Sequence, residues 1–188
     1  MRMHEFLPMG NLTPRQARMR DVLVFLVRVT ALSLPLYLIV WMGADLLSLQ
    51  LAAASHSAWL LSALGYQAVQ EGVSVTVGNG FRFFIIPDCT GWKSMLFLFA
   101  LIFAVPGAAL VKRLWGLAAG LPMVWAGNIL RIAGTVWAQG IWGTEFALSL
   151  HDTLYQAGLV SLVLAIWCAW LLWERGRITF PGAFWRQK

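Results

Sequence analysis

Residues 94–111 and 114–130 carry no charge and are separated only by Lys112 and Arg113. Two further blocks share this character: residues 22–44, interrupted by Arg28, and residues 153–173. Apolar blocks of about 18 residues or more match the hydrocarbon thickness of a bilayer. Hydrocarbon offers no partner to an open backbone N–H or C=O, so such blocks must fold as helices. Composition agrees: 60% of the 188 residues are hydrophobic and 12% are charged, against roughly 25% charged in a water-soluble domain. The chain therefore reads as an all-α integral membrane protein. Trp41, Trp92, Trp142 and Trp173 fall near block ends, where indole favours the headgroup layer. Trp125 and Trp167 fall inside blocks and read as packing residues.

The net charge of +6 does not indicate a nucleic-acid partner, because the basic residues flank apolar blocks instead of forming one stripe. Their distribution orients the bundle. Four crossings put both termini on one side with Arg2, Arg15, Arg18, Arg20, Arg28, Lys112, Arg113, Arg175, Arg177, Arg186 and Lys188. These are eleven of the fourteen Lys and Arg residues, and the positive-inside rule makes that side cytoplasmic. Arg28 lies near enough to the start of its block to snorkel. Counting residues 46–64 as a fifth crossing would send the 112–113 pair and the C-terminal cluster outside. That segment, with Gln50, His56 and four serines, instead reads as a fifth helix on the outer surface or packed on the bundle. Arg28 and Pro35 interrupt the first block and no small-residue cleavage site follows, so the N-terminal segment reads as retained.

The expected organisation is one membrane domain, 1–188, in a cytoplasmic or inner cell membrane. It has a basic cytoplasmic N-terminus (1–21), an extracytoplasmic β-hairpin (65–88) before the second span, and a cytoplasmic tail (176–188). The hairpin rests on Val73, Val75 and Val77 alternating with Ser74 and Thr76, then the turn residues Gly78-Asn79-Gly80, then Phe81 to Ile86. Gly116 and Gly120 form a GxxxG pair suited to close helix packing, and Pro122 is a candidate kink.

On this topology three chemically able side chains share the outer face. Cys89 stands just before the second span. Arg131 follows Arg113 by eighteen residues, about 27 Å of helix, close to the roughly 30 Å hydrocarbon thickness. His151 precedes the last span. A thiol, a guanidinium and an imidazole at one boundary are the parts of a cysteine-nucleophile site. A helix N-terminus after Cys89, capped by Asp88 or Thr90, and a nearby guanidinium would lower the thiol pKa. Arg131 would stabilise a thiolate, bind an oxyanion or pair with a substrate carboxylate. His151 would act as general acid or base. Asn128, one turn before Arg131, shares its helix face and would hold the guanidinium in place. Asp152 would cap the last span or orient a partner. Cys168, roughly 25 Å from His151 along the helix, reads as a packing residue. Lys93 reads as an interfacial anchor, and His4 and His56 as incidental. Cys89, His151 and Asp152 fall short of a structural zinc set, which wants four close Cys or His ligands. No CxxC, HExxH, GxSxG or phosphate loop is present, so neither metal nor cofactor is expected.

Pro87-Asp88-Cys89-Thr90-Gly91, then Asn128-Ile129-Leu130-Arg131-Ile132, then His151, each at a span boundary, resemble the exosortase/archaeosortase family. Leu64-Gly65-Tyr66 and the strand-like run before Cys89 resemble it too. The resemblance covers about residues 60–175. It implies a multi-span helical cysteine transpeptidase or endopeptidase. Its substrates would be exported, membrane-anchored proteins ending in a short motif, a transmembrane helix and a basic cluster. The new C-terminus would pass to a lipid or other surface acceptor. Carried over, Cys89 is the nucleophile, His151 the acid/base and Arg131 the transition-state stabiliser. The chain is shorter than many bacterial members, as a compact branch would be. Two other readings stand beside it. One is a non-catalytic membrane assembly protein whose outer hairpin docks a partner. The other is a small transporter, which the scarcity of ionisable groups at mid-bilayer disfavours.

Overall fold

The computed structural model describes residues 13–78, 80–153 and 157–176, with the backbone alone at 152 and 153. Arg2, His4, Asn79, Arg177, Arg186 and Lys188 lie outside the described residues. The first helix, α1, spans Pro14–Trp41 and starts well before the apolar block does. A capping box sets its start: the Thr13 side chain accepts from the Gln16 N–H, and the Gln16 side chain accepts from the Thr13 N–H. Pro14 occupies the first turn, where its missing N–H costs nothing. Helix α2, Leu47–Ala63, follows a short turn in which Asp45 Oδ1 accepts from the Leu47 N–H at 2.8 Å. Its buried face is small, made of Ala53, Ala54, Ser57, Ala58 and Leu61, which lets it sit close against the rest of the bundle.

Three strands follow where the sequence reading expected a two-stranded hairpin. They are β1 (Ala68–Glu71), β2 (Ser74–Val77) and β3 (Arg82–Phe84), antiparallel in the order β1-β2-β3. Gly72, at φ +61°, makes the tight turn that returns β2 along β1 with Glu71 opposite Ser74. The extra strand, Ala68-Val69-Gln70-Glu71, lacks the β-branched alternation of its partner and gave no period-two signal. Ser74 lies opposite Phe84 in the second pairing.

Helix α3 spans Trp92–Ala104, thirteen residues, and stops short of the expected span 94–111. Pro106 holds Val105 extended (ψ 118°) and Gly107 turns the chain at φ +79°, so the apolar run breaks there. Helix α4 then runs unbroken through Pro122 over Leu110–Trp142, thirty-three residues. It absorbs both the third apolar block and the expected connection at 132–144. Lys112 and Arg113 therefore open α4 instead of closing α3. Gly143 (φ +84°) ends it, and α5 (Thr144–Thr153) folds back. Helix α6 spans Leu159–Glu174.

Among the described residues, α1 and α4 are long and apolar enough to cross a membrane. Helices α3 and α6, at thirteen and sixteen residues, reach about 20 and 24 Å and fall short of a full span on their own. The glycines of α4 set the packing. An added Cβ at Gly116 would come within 2.4 Å of the Trp170 ring, at Gly120 within 2.7 Å of Leu98, and at Gly127 within 2.4 Å of Leu162. That closeness lets the Trp170 indole N–H of α6 donate to the Lys112 carbonyl at 2.9 Å. Lys112 Nζ donates in turn to the Glu174 carbonyl at 2.8 Å, and Arg113 Nη2 to the Val105 carbonyl at 2.8 Å. One polar knot thus ties the end of α3, the start of α4 and the end of α6. Buried apolar residues form two cores. One surrounds Leu98, Ile102, Val124, Val163 and Trp170 in the helical bundle. The other joins α2, the sheet, Cys89 and the α4 residues Ile129, Ile132, Ala133 and Val136.

Candidate active site

Cys89 lies in a 3-10 turn, Pro87–Thr90, between the sheet and α3. Pro87 starts the turn, the Cys89 N–H donates to the Ile86 carbonyl at 2.9 Å, and Thr90 Oγ1 donates to the Pro87 carbonyl at 2.8 Å. Gly91, at φ +73°, redirects the chain into α3. A Cβ there would also lie 3.2 Å from Asn128 Cγ, so the position requires glycine for both conformation and room. The turn is held from two further sides. Gln50 Nε2 of α2 donates to the Ile85 carbonyl at 2.6 Å, and Asn128 Nδ2 of α4 donates to the Cys89 carbonyl at 2.7 Å.

This corrects three sequence expectations. Asn128, fully buried, binds the backbone of Cys89 and not the Arg131 guanidinium; its Oδ1 accepts no hydrogen bond among the described residues. Neither Asp88 nor Thr90 caps α3, which starts after Gly91 without a side-chain cap. Thr90 is spent on the turn, while Asp88 pairs with Lys93 at 2.8 Å. Cys89 is thus one turn removed from the positive end of α3. Asp152 belongs to α5, and α6 begins beyond it with Gly158 at its N-cap position; the Asp152 side chain itself lies outside the described residues.

The arrangement of α4 and α5 brings His151 to the thiol. Helix α4 continues eleven residues, about 16 Å, past Arg131 before Gly143 reverses the chain. Helix α5 then returns antiparallel along it, and eight residues of α5 recover roughly 12 Å of that height by His151. His151 Nε2 consequently lies 3.8 Å from Cys89 Sγ, within reach of a hydrogen bond to sulfur. Arg131 is buried on α4 one turn after Asn128, at 5% exposure. Its positive charge acts on Cys89. Cys89, His151 and Arg131 therefore meet, with Asn128 beneath the turn that carries the thiol.

The thiol itself is not acidified. Burial pushes the Cys89 pKa above its ordinary value of 9.0, and the Asp88 carboxylate adds to the rise. The backbone of Ile86 and the Arg131 guanidinium pull it down without overcoming the loss of water. The helix dipole and the guanidinium are legible in the sequence, whereas the burial that outweighs them is not. Burial thus favours the neutral thiol over the thiolate at Cys89.

Cys168 is exposed on the outside of α6 and is not the core residue its apolar neighbours suggested. His56 contacts the Ala52 carbonyl at 2.7 Å and meets the Trp125 ring edge-on at 5.8 Å. Two residues that sequence reasoning missed support the site. Gly91 left a trace as a glycine directly after the cysteine-bearing turn. Gln50 left one as an amide within an apolar helix. Among the described residues, no three His, Cys, Asp or Glu side chains gather as a metal site would need.

No match is found among curated proteins or among solved structures. The transmembrane exosortase family profile matches residues 15–173, which run from the first turn of α1 to the last turn of α6 and include Cys89, Asn128, Arg131 and His151. This membrane protein belongs to the transmembrane exosortase family.

Proposed function

We propose that this exosortase is a membrane-embedded cysteine transpeptidase or endopeptidase in which Cys89 attacks the sorting signal of an exported protein. Exosortases are in general cysteine proteases or transpeptidases that act on membrane-anchored proteins bearing sorting signals. The observation that carries the reading for this chain is the 3.8 Å approach of His151 Nε2 to Cys89 Sγ from an element 62 residues away.

The chemistry follows from the thiol–imidazole pair. As sulfur approaches the scissile carbonyl, His151 takes the thiol proton and the S–C bond forms. The Arg131 guanidinium, buried beside the sulfur, stabilises the negative charge that develops on the carbonyl oxygen, where low dielectric strengthens its effect. The tetrahedral intermediate expels the amine, the imidazolium returns its proton to that nitrogen, and the C–N bond breaks. An acyl-thioester remains on Cys89. An acceptor nucleophile, deprotonated by the same imidazole, resolves it and regenerates the thiol.

Four crossings, both termini in the cytoplasm and a site on the extracytoplasmic face complete the proposal. Its support is the charge distribution. The Lys112–Glu174 knot lies at one end of α4, and Arg131 lies about 28 Å further along the same helix. A tail helix held in the bilayer would present its outer end at that depth, so the membrane itself positions the scissile bond. The substrate would be a membrane-anchored protein with motif, transmembrane helix and basic tail, and the acceptor a lipid or other surface molecule.

The test is to incubate the purified enzyme with tail-bearing substrates and analyse it by intact-mass spectrometry. An adduct on Cys89 equal to the mass of the acyl fragment is expected. Tail removal that persists undiminished in Cys89→Ala would overturn the proposal.

A further inference from the structure

Strand β3 is an edge strand, and it leads without a break into the cysteine turn: Arg82-Phe83-Phe84, then Ile85-Ile86, then Pro87–Thr90. The hydrogen bonds toward β2 come from one set of alternate residues. The Phe81 carbonyl accepts from the Val77 N–H at 2.9 Å, and the Ile85 N–H donates to the Val73 carbonyl at 2.8 Å. In an antiparallel ladder the residues between them point their N–H and C=O the other way. The backbone groups of Arg82 and Phe84 therefore face outward, and among the described residues β2 is the element against which β3 packs substantially. The opposite edge of the sheet, β1, rests on α2.

The side chains do not close this edge either. Arg82 is drawn across the sheet face, its Nη2 2.9 Å from Ser74 Oγ and 3.3 Å from Glu71 Oε2. Phe84 and Ile86 stay 61% and 54% exposed, although they flank a residue, Ile85, that is buried. Proteins commonly blunt such an edge with charge, proline or a covering element, because an open edge invites another strand. Here the open stretch ends at the nucleophile.

We propose that the free edge of β3 is the substrate-binding strand of this enzyme: the extended segment preceding the substrate's tail helix adds to it through backbone hydrogen bonds at Phe84. This rests on the proposed function above and specifies how its substrate is held. Strand addition supplies affinity from the main chain and specificity from alternate side chains. The substrate residue opposite Phe84 sits beside an exposed ring and is expected to be apolar or aromatic. The enzyme's own chain covers Phe84 to Cys89 in five residues, an extended length of at most roughly 17 Å. The scissile carbonyl thus falls within about five residues of the paired position.

The experiment compares wild type, Phe84→Pro and Phe84→Ala in detergent, using a tail-bearing protein from the same genome as substrate. Proline at 84 removes the outward N–H, which makes no bond to β2, together with the ring, whose loss alone Phe84→Ala reports; edge strands accept proline. Phe84→Pro is expected to raise KM by up to about tenfold with kcat changed less than about threefold, the loss of one well-made hydrogen bond. Phe84→Ala, which keeps the N–H, is expected to raise KM less. Unchanged KM in Phe84→Pro, or an equal loss in both variants, overturns the edge proposal while leaving the catalytic reading intact. Absence of processing by wild type overturns the catalytic reading and this inference with it. Alkylation of Cys89 at the wild-type rate certifies the fold of each variant. Should Phe84→Pro fail that check, an ester-linked phenyllactic acid at 84 removes the same N–H without the ring, and the same two outcomes decide.

Discussion

Cys89 Sγ and His151 Nε2 stand 3.8 Å apart, joined by the folding of α5 back along the last turns of α4. Under the proposed mechanism each of the three converging residues has a separate rate signature. Cys89→Ala is expected to remove tail processing below detection. His151→Ala is expected to slow it by about 10²–10⁴-fold, the usual worth of a positioned acid/base. Arg131→Gln is expected to cost about 10²–10³-fold, with kcat falling more than KM rises. Each is measured as processing rate per inserted enzyme. A His151→Ala enzyme at wild-type rate would remove the imidazole from the mechanism.

The raised pKa of the buried thiol gives a pH prediction. Burial raises the pKa and disfavours the thiolate, and only thiolate alkylates. Iodoacetamide labelling of resting enzyme is therefore expected to be slow at neutral pH and to climb beyond pH 9. Removing the Arg131 charge disfavours thiolate further, so Arg131→Gln is expected to move that rise to still higher pH. The assay uses a Cys168→Ser background, so that Cys89 is the one thiol left to label. Fast labelling at pH 7 would contradict the burial argument.

Asn128 holds the Cys89 carbonyl at 2.7 Å from inside the bundle. Asn128→Leu leaves that carbonyl without its partner, at a cost of about 1–3 kcal/mol, and frees the turn that aims the sulfur. A fall in kcat of roughly tenfold or more is expected, with insertion intact. Asn128→Asp, which cannot donate when ionised, is expected to resemble Asn128→Leu. Processing rate against inserted protein reads both.

Gly91→Ala combines a positive φ with a 3.2 Å approach to Asn128. Backbone strain of about 1–3 kcal/mol is expected, expressed as lost activity before lost folding because the strain falls on the cysteine turn. Activity retained at the wild-type level would show that the turn tolerates a shift of Asn128.

Packing at the opposite end gives a purely structural prediction. Gly116→Ala drives a methyl group into the Trp170 ring at 2.4 Å and threatens the indole bond to Lys112. Destabilisation of about 1–3 kcal/mol is expected, read as a lower thermal unfolding midpoint in detergent. Gly134→Ala, which meets no atom within 4 Å, is the matched control and is expected to be near neutral.

The apolar blocks by themselves determined that the chain is helical and membrane-bound, because an uncharged run of that length has no other stable state in lipid or water. The order of Cys89, Arg131 and His151 against those blocks made the site candidates legible, since charge bias and helical rise alone give rough depth. Tertiary structure decided everything shorter in range. Pro106 and Gly107 cut α3 to thirteen residues, and the third apolar block fused with its following connection into α4. Hydropathy averages over such breaks and cannot locate them. Strand β1 went unread because its pairing is made by Gly72 and its neighbour, not by its own composition. Asn128 was read from helix-face periodicity as a partner of Arg131, yet its partner is a carbonyl 39 residues away, which no spacing along one helix can reveal. The thiol's pKa was misjudged for the same reason: charge and dipole are visible in a sequence, while burial exists only once α2, the sheet and α4 close around the sulfur.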